Sequence, residues 1–171
     1  GAEVIKIEKT PGGDDTRNFL PPEINGESAA FMMNRNKKGI ALNLKDKDGI
    51  EIFKTMVKNS DVVLENFRKG TLEKLGVGYD VMSEINPKII LCEISGYGRT
   101  GPYADKGGFD LVAQGMSGLM SITGESKDKP PMKVGAPITD ITSVLLADCG
   151  ILAALFHREK TGEGQKVDTS L

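Results

Sequence analysis

Asp140 has the clearest chemical potential in the sequence, because it stands at the predicted start of a long helix in residues 135–142, GAPITDIT. An aspartate at a helix start usually caps free backbone N–H groups and stabilises a protein by about 0.5–2 kcal/mol. The same position also favours an ionised carboxylate that can act as a nucleophile, and Gly135 leaves room for a substrate. The residues alone leave both roles open, with capping the commoner one.

Residues 96–101, GYGRTG, follow a predicted strand and match the spacing of the dinucleotide-binding glycine motif. That motif must open a helix, whereas Pro102 and a polar, glycine-rich stretch continue here as a loop. No acidic residue ends a strand about 20 residues later, where the ribose contact is expected. The sequence therefore disfavours a nicotinamide or flavin site and predicts a glycine-rich turn that could contact another ligand.

Cations cluster around the second predicted strand, with Arg35, Lys37 and Lys38 before it and Lys45 after it. A solvated surface is the usual role of such a run. Phosphate binding is the alternative, because phosphates need cations and loop amides near strand ends.

The remaining reactive groups indicate no catalytic set. Asp148 interrupts the apolar stripe of the long helix, which predicts a hydrogen-bonded or interface carboxylate, and His157 lies near the helix end, where a surface role is expected. Cys92 and Cys149 lack metal-ligand spacing and are predicted to be buried thiols in a reducing compartment. We predict no metal site.

Composition excludes several classes of protein. The 171 residues include 22 Lys+Arg and 24 Asp+Glu, with a net charge of −2 and 39% hydrophobic residues. This balance gives no reason to expect a nucleic-acid partner, and the apolar fraction argues against disorder. No uninterrupted apolar run reaches the ~18 residues of a membrane span, so we predict no membrane partner.

Short β-branched runs alternate with helical patterns along the chain. Strands are predicted at 1–8, 39–44, 61–65, 88–94 and 165–171, and helices at 47–59, 71–75, 80–85, 109–120 and 141–160. Apolar residues of the last helix recur at 3.6-residue spacing and are expected to face a core, namely Val144, Leu145, Ile151, Leu152, Leu155 and Phe156. This alternation predicts an α/β fold with a doubly wound parallel sheet.

Four segments, in the same order and spacing, resemble the family III CoA-transferases. Their sequences are most similar to those of members that move CoA between dicarboxylic acids such as succinate and glutarate. They are residues 1–8 (GAEVIKIE) with 12–17 (GGDDTR), 34–40 (NRNKKGI), 61–70 (DVVLENFRKG), and 95–98 (SGYG) onward to 107–110 (GGFD). Residues 160–165 (KTGEGQ) agree as well. The resemblance covers nearly the whole chain.

The resemblance implies a Rossmann-like parallel sheet with covering helices, forming part of the large domain of an interlocked homodimer. Residues 1–171 are then expected to be an incomplete, CoA-binding large domain, because a first strand and a small domain with a glycine-rich loop are expected outside them. No permanently bound cofactor is implied, and acyl-CoA and a carboxylic acid are the substrates. The expected compartment is the cytoplasm, or the mitochondrial matrix in a eukaryote.

The family's nucleophilic aspartate falls on Asp140. By this resemblance its carboxylate attacks the acyl-CoA thioester, forms a mixed anhydride and then an aspartyl-CoA thioester, and passes CoA to the acceptor acid. Close placement beside the thioester and donors for the developing oxyanion would make a weak nucleophile effective.

The family's CoA contacts fall on five stretches. These are Lys9; Leu42, Asn43, Leu44 and Lys45; Asn66, Phe67 and Arg68; Lys74 and Leu75; and Gly107, Gly108, Phe109 and Asp110. Lys9 and Lys74 stand where the formyl-CoA transferases of the family have arginine, which keeps the charge but loses the bidentate fork for phosphate.

Two other activities remain open. A racemase of 2-methylacyl-CoA is the first, but racemases of the family use a histidine where this chain has Phe109, and phenylalanine cannot accept a proton. A non-catalytic CoA-binding fragment is the second. A CoA-transferase is favoured over both.

Overall fold

Residues 1–19, 22–24, 27–28 and 33–171 are described by a computed structural model, in which helices alternate with parallel strands. The predicted α/β class is confirmed. The chain divides into two units, Gly1–Phe53 and Lys54–Leu171. The described strands fall into separate sheets of two and three strands rather than one continuous sheet.

The first unit is built on a parallel pair of strands. β1 (Ile5–Glu8) pairs with β4 (Lys38–Ala41), with Ile7 opposite Ile40. Between them lie a 3₁₀ helix (Asp15–Asn18) and a short antiparallel pair, β2 (Pro22–Ile24) and β3 (Glu27–Ser28). β4 ends before the predicted residue 44, because the Asn43 side chain accepts a hydrogen bond from the Lys45 N–H at 3.1 Å and turns the chain. α1 (Lys47–Lys58) follows.

The second unit contains a three-stranded parallel sheet in the order β5 (Val62–Glu65), β6 (Ile90–Ser95) and β7 (Lys166–Ser170). Residues 89–92 are fully buried, as their continuous apolar run predicts for a central parallel strand. α2 (Thr71–Lys74) and α3 (Tyr79–Ile85) connect β5 to β6. The side chain of Asn86 then donates to the Val57 and Ser60 carbonyls, which ties the end of α3 to the end of α1.

The helix predicted at 109–120 is two helices. α4 (Asp110–Met116) ends before Gly118, whose φ of +81° is left-handed, and α5 (Leu119–Ile122) begins directly after it. A glycine adopts this conformation without the steric penalty of a side chain, so the break is encoded locally.

α6 (Ile138–Thr161) is the long helix, and it packs on β6 and β7 through small side chains. Ser143, Ala147 and Ala154 are buried, and a methyl group added to Gly150 would lie 2.5 Å from Val167 Cγ1. Small residues at 143, 147, 150 and 154 recur at helical spacing, and they let the helix approach the sheet closely.

The expectation that the large apolar residues of α6 face a core is therefore wrong for this chain. Four of them are between 47% and 66% exposed, namely Val144, Leu145, Leu152 and Phe156. Cys149 on the same helix is also exposed, against the prediction of a buried thiol, whereas Cys92 is buried as predicted. The face of α6 that carries large side chains lies away from the sheet.

By length and composition, α6 is the one helix among the described residues that is apolar enough to cross a membrane, with a mean hydropathy of 1.7. This mean is high although polar residues such as Thr142 and Asp148 interrupt the apolar run of the helix. Core helices of water-soluble proteins reach the same values, and α6 packs on a sheet. The absence of a membrane partner stays a prediction.

Candidate active site

Asp140 lies in the first turn of α6 and is exposed as a residue, although its carboxyl group is partly desolvated. Among the residues that the structure describes, none donates a hydrogen bond to this carboxylate. Ser143 contacts only the main chain of Asp140, donating from Oγ to the carbonyl at 2.8 Å. The reactive oxygens of Asp140 are therefore left open.

The cap of α6 comes from Asp110, on a different helix. Asp110 Oδ1 accepts hydrogen bonds from the Thr139 N–H at 2.9 Å and from Thr139 Oγ1 at 2.8 Å. Pro137, the N-cap residue, contributes no side-chain hydrogen bond. The capping role considered for Asp140 is thus performed by a residue 30 positions earlier, which removes the alternative that would have tied up the Asp140 side chain.

Gln114, fully buried one turn after Asp110, fixes the arrangement. Its Nε2 donates to Asp110 Oδ2 at 2.7 Å, and its Oε1 accepts from the Val134 N–H at 2.8 Å. Both oxygens of Asp110 are therefore occupied, and the irregular segment that leads into α6 is held against α4. Sequence reasoning missed Gln114, although its i, i+4 spacing from Asp110 indicates a side-chain pair on one helix face.

The two carboxylates differ in their electrostatics. Burial alone would raise the pKa of Asp110, but hydrogen bonds from Thr139, Gln114 and the Asp140 backbone hold it below its ordinary value. Partial burial raises the pKa of Asp140, and the negative charge of Asp110 raises it further. Asp110 is therefore a fixed anion, and Asp140 is the more basic and less encumbered carboxylate of the pair.

Replacing Asp110 by alanine is expected to lower the free energy of unfolding by about 1–2 kcal/mol, because the first turn of α6 loses its cap and Gln114 loses its acceptor. Urea denaturation followed by circular dichroism measures this. Asp148→Ala, which replaces an exposed aspartate of α6, is the control and should stay within about 0.5 kcal/mol of the unchanged protein. Equal effects of the two replacements would contradict the cap.

Two of the predicted CoA-binding stretches meet in the second unit. Asn66, Phe67 and Arg68 follow β5, and Gly107 to Asp110 lead into α4. A methyl group added to Gly107 would lie 3.5 Å from Arg68 Nη2, so the guanidinium rests on that glycine. Gly108 packs more closely still on Gly96, where an added methyl group would lie 2.4 Å from the Gly96 Cα.

Lys74 and Leu75 end α2, and within the described chain no hydrogen bond or ion pair joins their side chains to these loops. Phe109 is 76% exposed beside Asp110.

In the first unit, the predicted CoA residues follow the carboxyl ends of β1 and β4. Lys9 comes directly after β1 and forms an ion pair with Asp15 at 2.5 Å. Leu42 is buried and donates its N–H to the Glu8 carbonyl at 3.0 Å, while Asn43, Leu44 and Lys45 form the turn before α1. Ligands of open parallel sheets bind at the carboxyl ends of strands, which is where these residues lie.

The other candidate residues give less support for a ligand site. Lys38 pairs with Glu3 at 2.6 Å and Lys37 donates to Asn34 at 3.1 Å, so part of the predicted cationic cluster already has partners. Asp148 and His157 are exposed on α6. No helix begins directly after residues 96–101, in agreement with the prediction of a glycine-rich turn in place of a dinucleotide site.

A polar cavity of about 460 Å³ lies at the amino ends of β5 and β6, lined among others by Asp61, Lys88 and Arg158. It contains none of the predicted site residues.

Comparison with known proteins identifies the relatives of the chain. Residues 1–171 match the family model of CoA-transferase family III. The chain is 46% identical over 178 residues to a succinate–glutarate CoA-transferase of Agrobacterium fabrum, and the match covers 100% of this chain and 44% of that protein. It is also 46% identical over 172 residues to a succinyl-CoA:glutarate CoA-transferase of Mus musculus, covering 100% and 39% of the two chains.

Among solved structures, a CAIB/BAIF family protein from Brucella suis superposes with a TM-score of 0.93 at 43% identity, covering 99% of this chain and 46% of that one. The chain thus spans less than half the length of these relatives.

Proposed function

The chain belongs to CoA-transferase family III, and from this premise we propose that the complete protein transfers coenzyme A from an acyl-CoA thioester to a free dicarboxylic acid. The relatives named for succinate and glutarate support dicarboxylates as the substrate class. The observation that carries the proposal is the Asp140 carboxylate, which stands open at the start of α6 because Asp110 caps the helix in its place.

Asp140 is proposed to act as the nucleophile. A carboxylate oxygen attacks the thioester carbonyl carbon and the carbon–sulfur bond breaks. CoA leaves as a thiolate, and an aspartyl mixed anhydride is formed. The thiolate then attacks the Asp140 carbonyl carbon of the anhydride, which releases the donor acid and forms an aspartyl-CoA thioester. The acceptor carboxylate attacks that thioester, and CoA thiolate returns to the acceptor's carbonyl carbon, so that Asp140 is regenerated as a carboxylate.

Both intermediates need hydrogen-bond donors and positive potential near Asp140. The amino end of α6 supplies a favourable dipole for a negatively charged oxygen at this point. Asp110 already occupies the Thr139 N–H, so the carboxylate competes for none of its own helix's donors and keeps its lone pairs for attack.

The CoA moiety is proposed to lie against the loops at the carboxyl ends of the strands. Arg68 and the glycines at 107 and 108 offer a cation and exposed backbone at one surface, which suits a diphosphate. No metal or redox group takes part in the proposed steps.

Transfer is tested by mixing an acyl-CoA with a different dicarboxylic acid and following the second acyl-CoA by chromatography. The proposal expects a new thioester that depends on both substrates. A racemase would instead exchange the α-proton of a 2-methylacyl-CoA with solvent deuterium and give no transfer. A protein that only binds CoA would gain thermal stability from CoA without turnover.

The rate of transfer is expected to rise with pH as Asp140 loses its proton, because only the ionised carboxylate attacks. Burial and the Asp110 charge raise the pKa of Asp140, so this rise falls above the ordinary range of an aspartate. Asp110→Asn removes one negative charge, lowers the pKa of Asp140 and shifts the rise to lower pH. Profiles of kcat/KM against pH measure the shift, with Asp148→Asn as the control. A profile that moves to higher pH would contradict the assignment.

We also propose that the complete protein is an interlocked homodimer in which this chain is part of the large domain. The exposed large side chains of α6, including Leu145, Leu152 and Phe156, support an interface on that helix. Light scattering of the complete protein tests the dimer, and a monomeric mass would contradict it.

A further inference from the structure

Three acidic residues stand side by side across the β5–β6–β7 sheet, at the last residue of β5 and at interior positions of β6 and β7. Glu65 pairs in register with Glu93, and Glu93 with Asp168. Neighbouring strands lie about 4.8 Å apart, and residues in register project to the same face, so the three carboxylates form one row. Glu65 and Glu93 are 7% and 6% exposed. Two buried carboxylates at this spacing need a cation between them.

Arg99 supplies that cation. Its Nη2 forms ion pairs with Glu65 and with Glu93, the latter at 3.4 Å, while Lys166 lies 2.8 Å from the other oxygen of Glu93. Burial raises the pKa of Glu65 to about 7, the Phe67 N–H and Arg99 oppose this, and Glu93 adds to it. The electrostatic balance of the row therefore depends on the guanidinium.

Arg99 also reaches two loops that a simple charge partner would not need. Its Nη1 donates to the Phe67 carbonyl at 3.2 Å, within the loop that follows β5. Its backbone N–H donates to Asp168 Oδ2 at 3.3 Å, which fixes the turn that follows β6. One residue thus joins the loops after two neighbouring strands.

These contacts extend to the predicted CoA surface. The turn containing Arg99 begins at Gly96, which packs on Gly108, and Gly107 next to it carries the Arg68 guanidinium. Asn66 to Arg68 and Gly107 to Asp110 are the stretches that the family resemblance assigns to CoA. The Arg99 side chain is only 12% exposed, so it contacts the first of these stretches from the protein interior and is not part of the surface itself.

We propose that Arg99, held by Glu65, Glu93 and Asp168, is a positioning residue that aligns the loops 66–68 and 107–110 for binding of the CoA moiety. The inference rests on the proposed CoA-transferase function and names a residue that sets the affinity of that site. It separates Arg99 from the reacting atoms, so removing it should affect the capture of acyl-CoA more than the chemical steps at Asp140.

The test is the kinetic analysis of Arg99→Met in the complete protein, with KM for acyl-CoA and kcat measured separately. We expect KM to rise at least about tenfold while kcat stays within about threefold. Arg99→Lys keeps the charge but cannot reach the Phe67 carbonyl and both carboxylates together, so it should restore part of the affinity. Arg99→Met leaves Glu65 without its cation and leaves Glu93 with Lys166 alone. Arg99→Met combined with Glu93→Gln is therefore the second variant and should show the same rise in KM with less loss of stability.

Arg158→Met is the matched control. Arg158 pairs with Asp61 at 3.0 Å and donates to the Lys88 carbonyl at 3.3 Å, with a side chain 13% exposed, but it does so at the amino ends of β5 and β6. The KM of Arg158→Met for acyl-CoA should stay within about twofold of that of the unchanged protein.

An unchanged KM in the Arg99 variants, an equal rise in Arg158→Met, or a loss confined to kcat would each overturn the positioning role while leaving the transferase proposal intact. Failure of the unchanged protein to bind or transfer CoA would overturn both.

Discussion

Replacing Asp140 by asparagine is expected to lower the rate of CoA transfer by at least about 10³-fold, because a neutral amide cannot attack a thioester as a carboxylate does. Stability should not fall with activity. The described residues give the Asp140 carboxylate no hydrogen bond to lose, and its raised pKa means that the ionised form is disfavoured in the fold. The free energy of unfolding is therefore expected to stay the same or to increase.

Three measurements separate the nucleophile from a structural role. Transfer is followed by chromatography, CoA affinity by calorimetry, and the covalent intermediate by mass spectrometry of the peptide containing residue 140 after brief mixing with acyl-CoA. The unchanged protein should carry CoA on that peptide, and Asp140→Asn should carry none while binding CoA with similar affinity. Asp148→Asn, on the same helix, is the control and should retain both transfer and the adduct. Transfer retained by Asp140→Asn would end the assignment.

The second large effect is expected from Gly108→Ala. The added methyl group would lie 2.4 Å from the Gly96 Cα and 3.3 Å from the Gly96 carbonyl carbon, and neither can move without displacing the backbone. Forcing the loops after β6 and before α4 apart should lower the free energy of unfolding by about 3 kcal/mol. Because these loops carry the proposed CoA surface, CoA affinity should fall as well.

Gly107→Ala is the control for stability at the neighbouring position. Its methyl group would lie 3.5 Å from the Arg68 guanidinium, an ordinary contact with a mobile side chain, and the change should stay within about 1 kcal/mol. Denaturant unfolding of the two variants decides between steric clash and a general intolerance of the loop. If Gly107→Ala were as damaging as Gly108→Ala, the Gly96–Gly108 contact would not be the cause.

Much of the fold could be predicted from local patterns. The run at residues 89–92 is apolar throughout and forms the buried central strand, and the 3.6-residue spacing at 47–59 gives α1 almost to the residue. The long helix was predicted at 141–160 with Asp140 at its start, and it begins three residues earlier, at Ile138, so that Asp140 lies within its first turn.

What could not be predicted depends on partners far along the chain. The cap of α6 comes from Asp110, whose contact with Thr139 exists only because α4 and α6 pack together. Similarly, Glu65, Glu93 and Asp168 become one row only through the register of three strands. The large side chains of α6 obey the helical period but are exposed, because an equally periodic set of small residues packs on the sheet. Periodicity identifies a face without saying which of two faces is buried.

The hydrogen bonds around Gln114 have a consequence for engineering. Asp110 and Gln114 pin the chain at Thr139 and Val134, so the intervening excursion, residues 118–133, leaves and returns at two fixed anchor points. Most of its residues are exposed, and extending a surface loop between fixed ends adds little to the entropy of closing it. Segments of different length between these anchors are therefore expected to leave the cap of the helix that bears Asp140 in place.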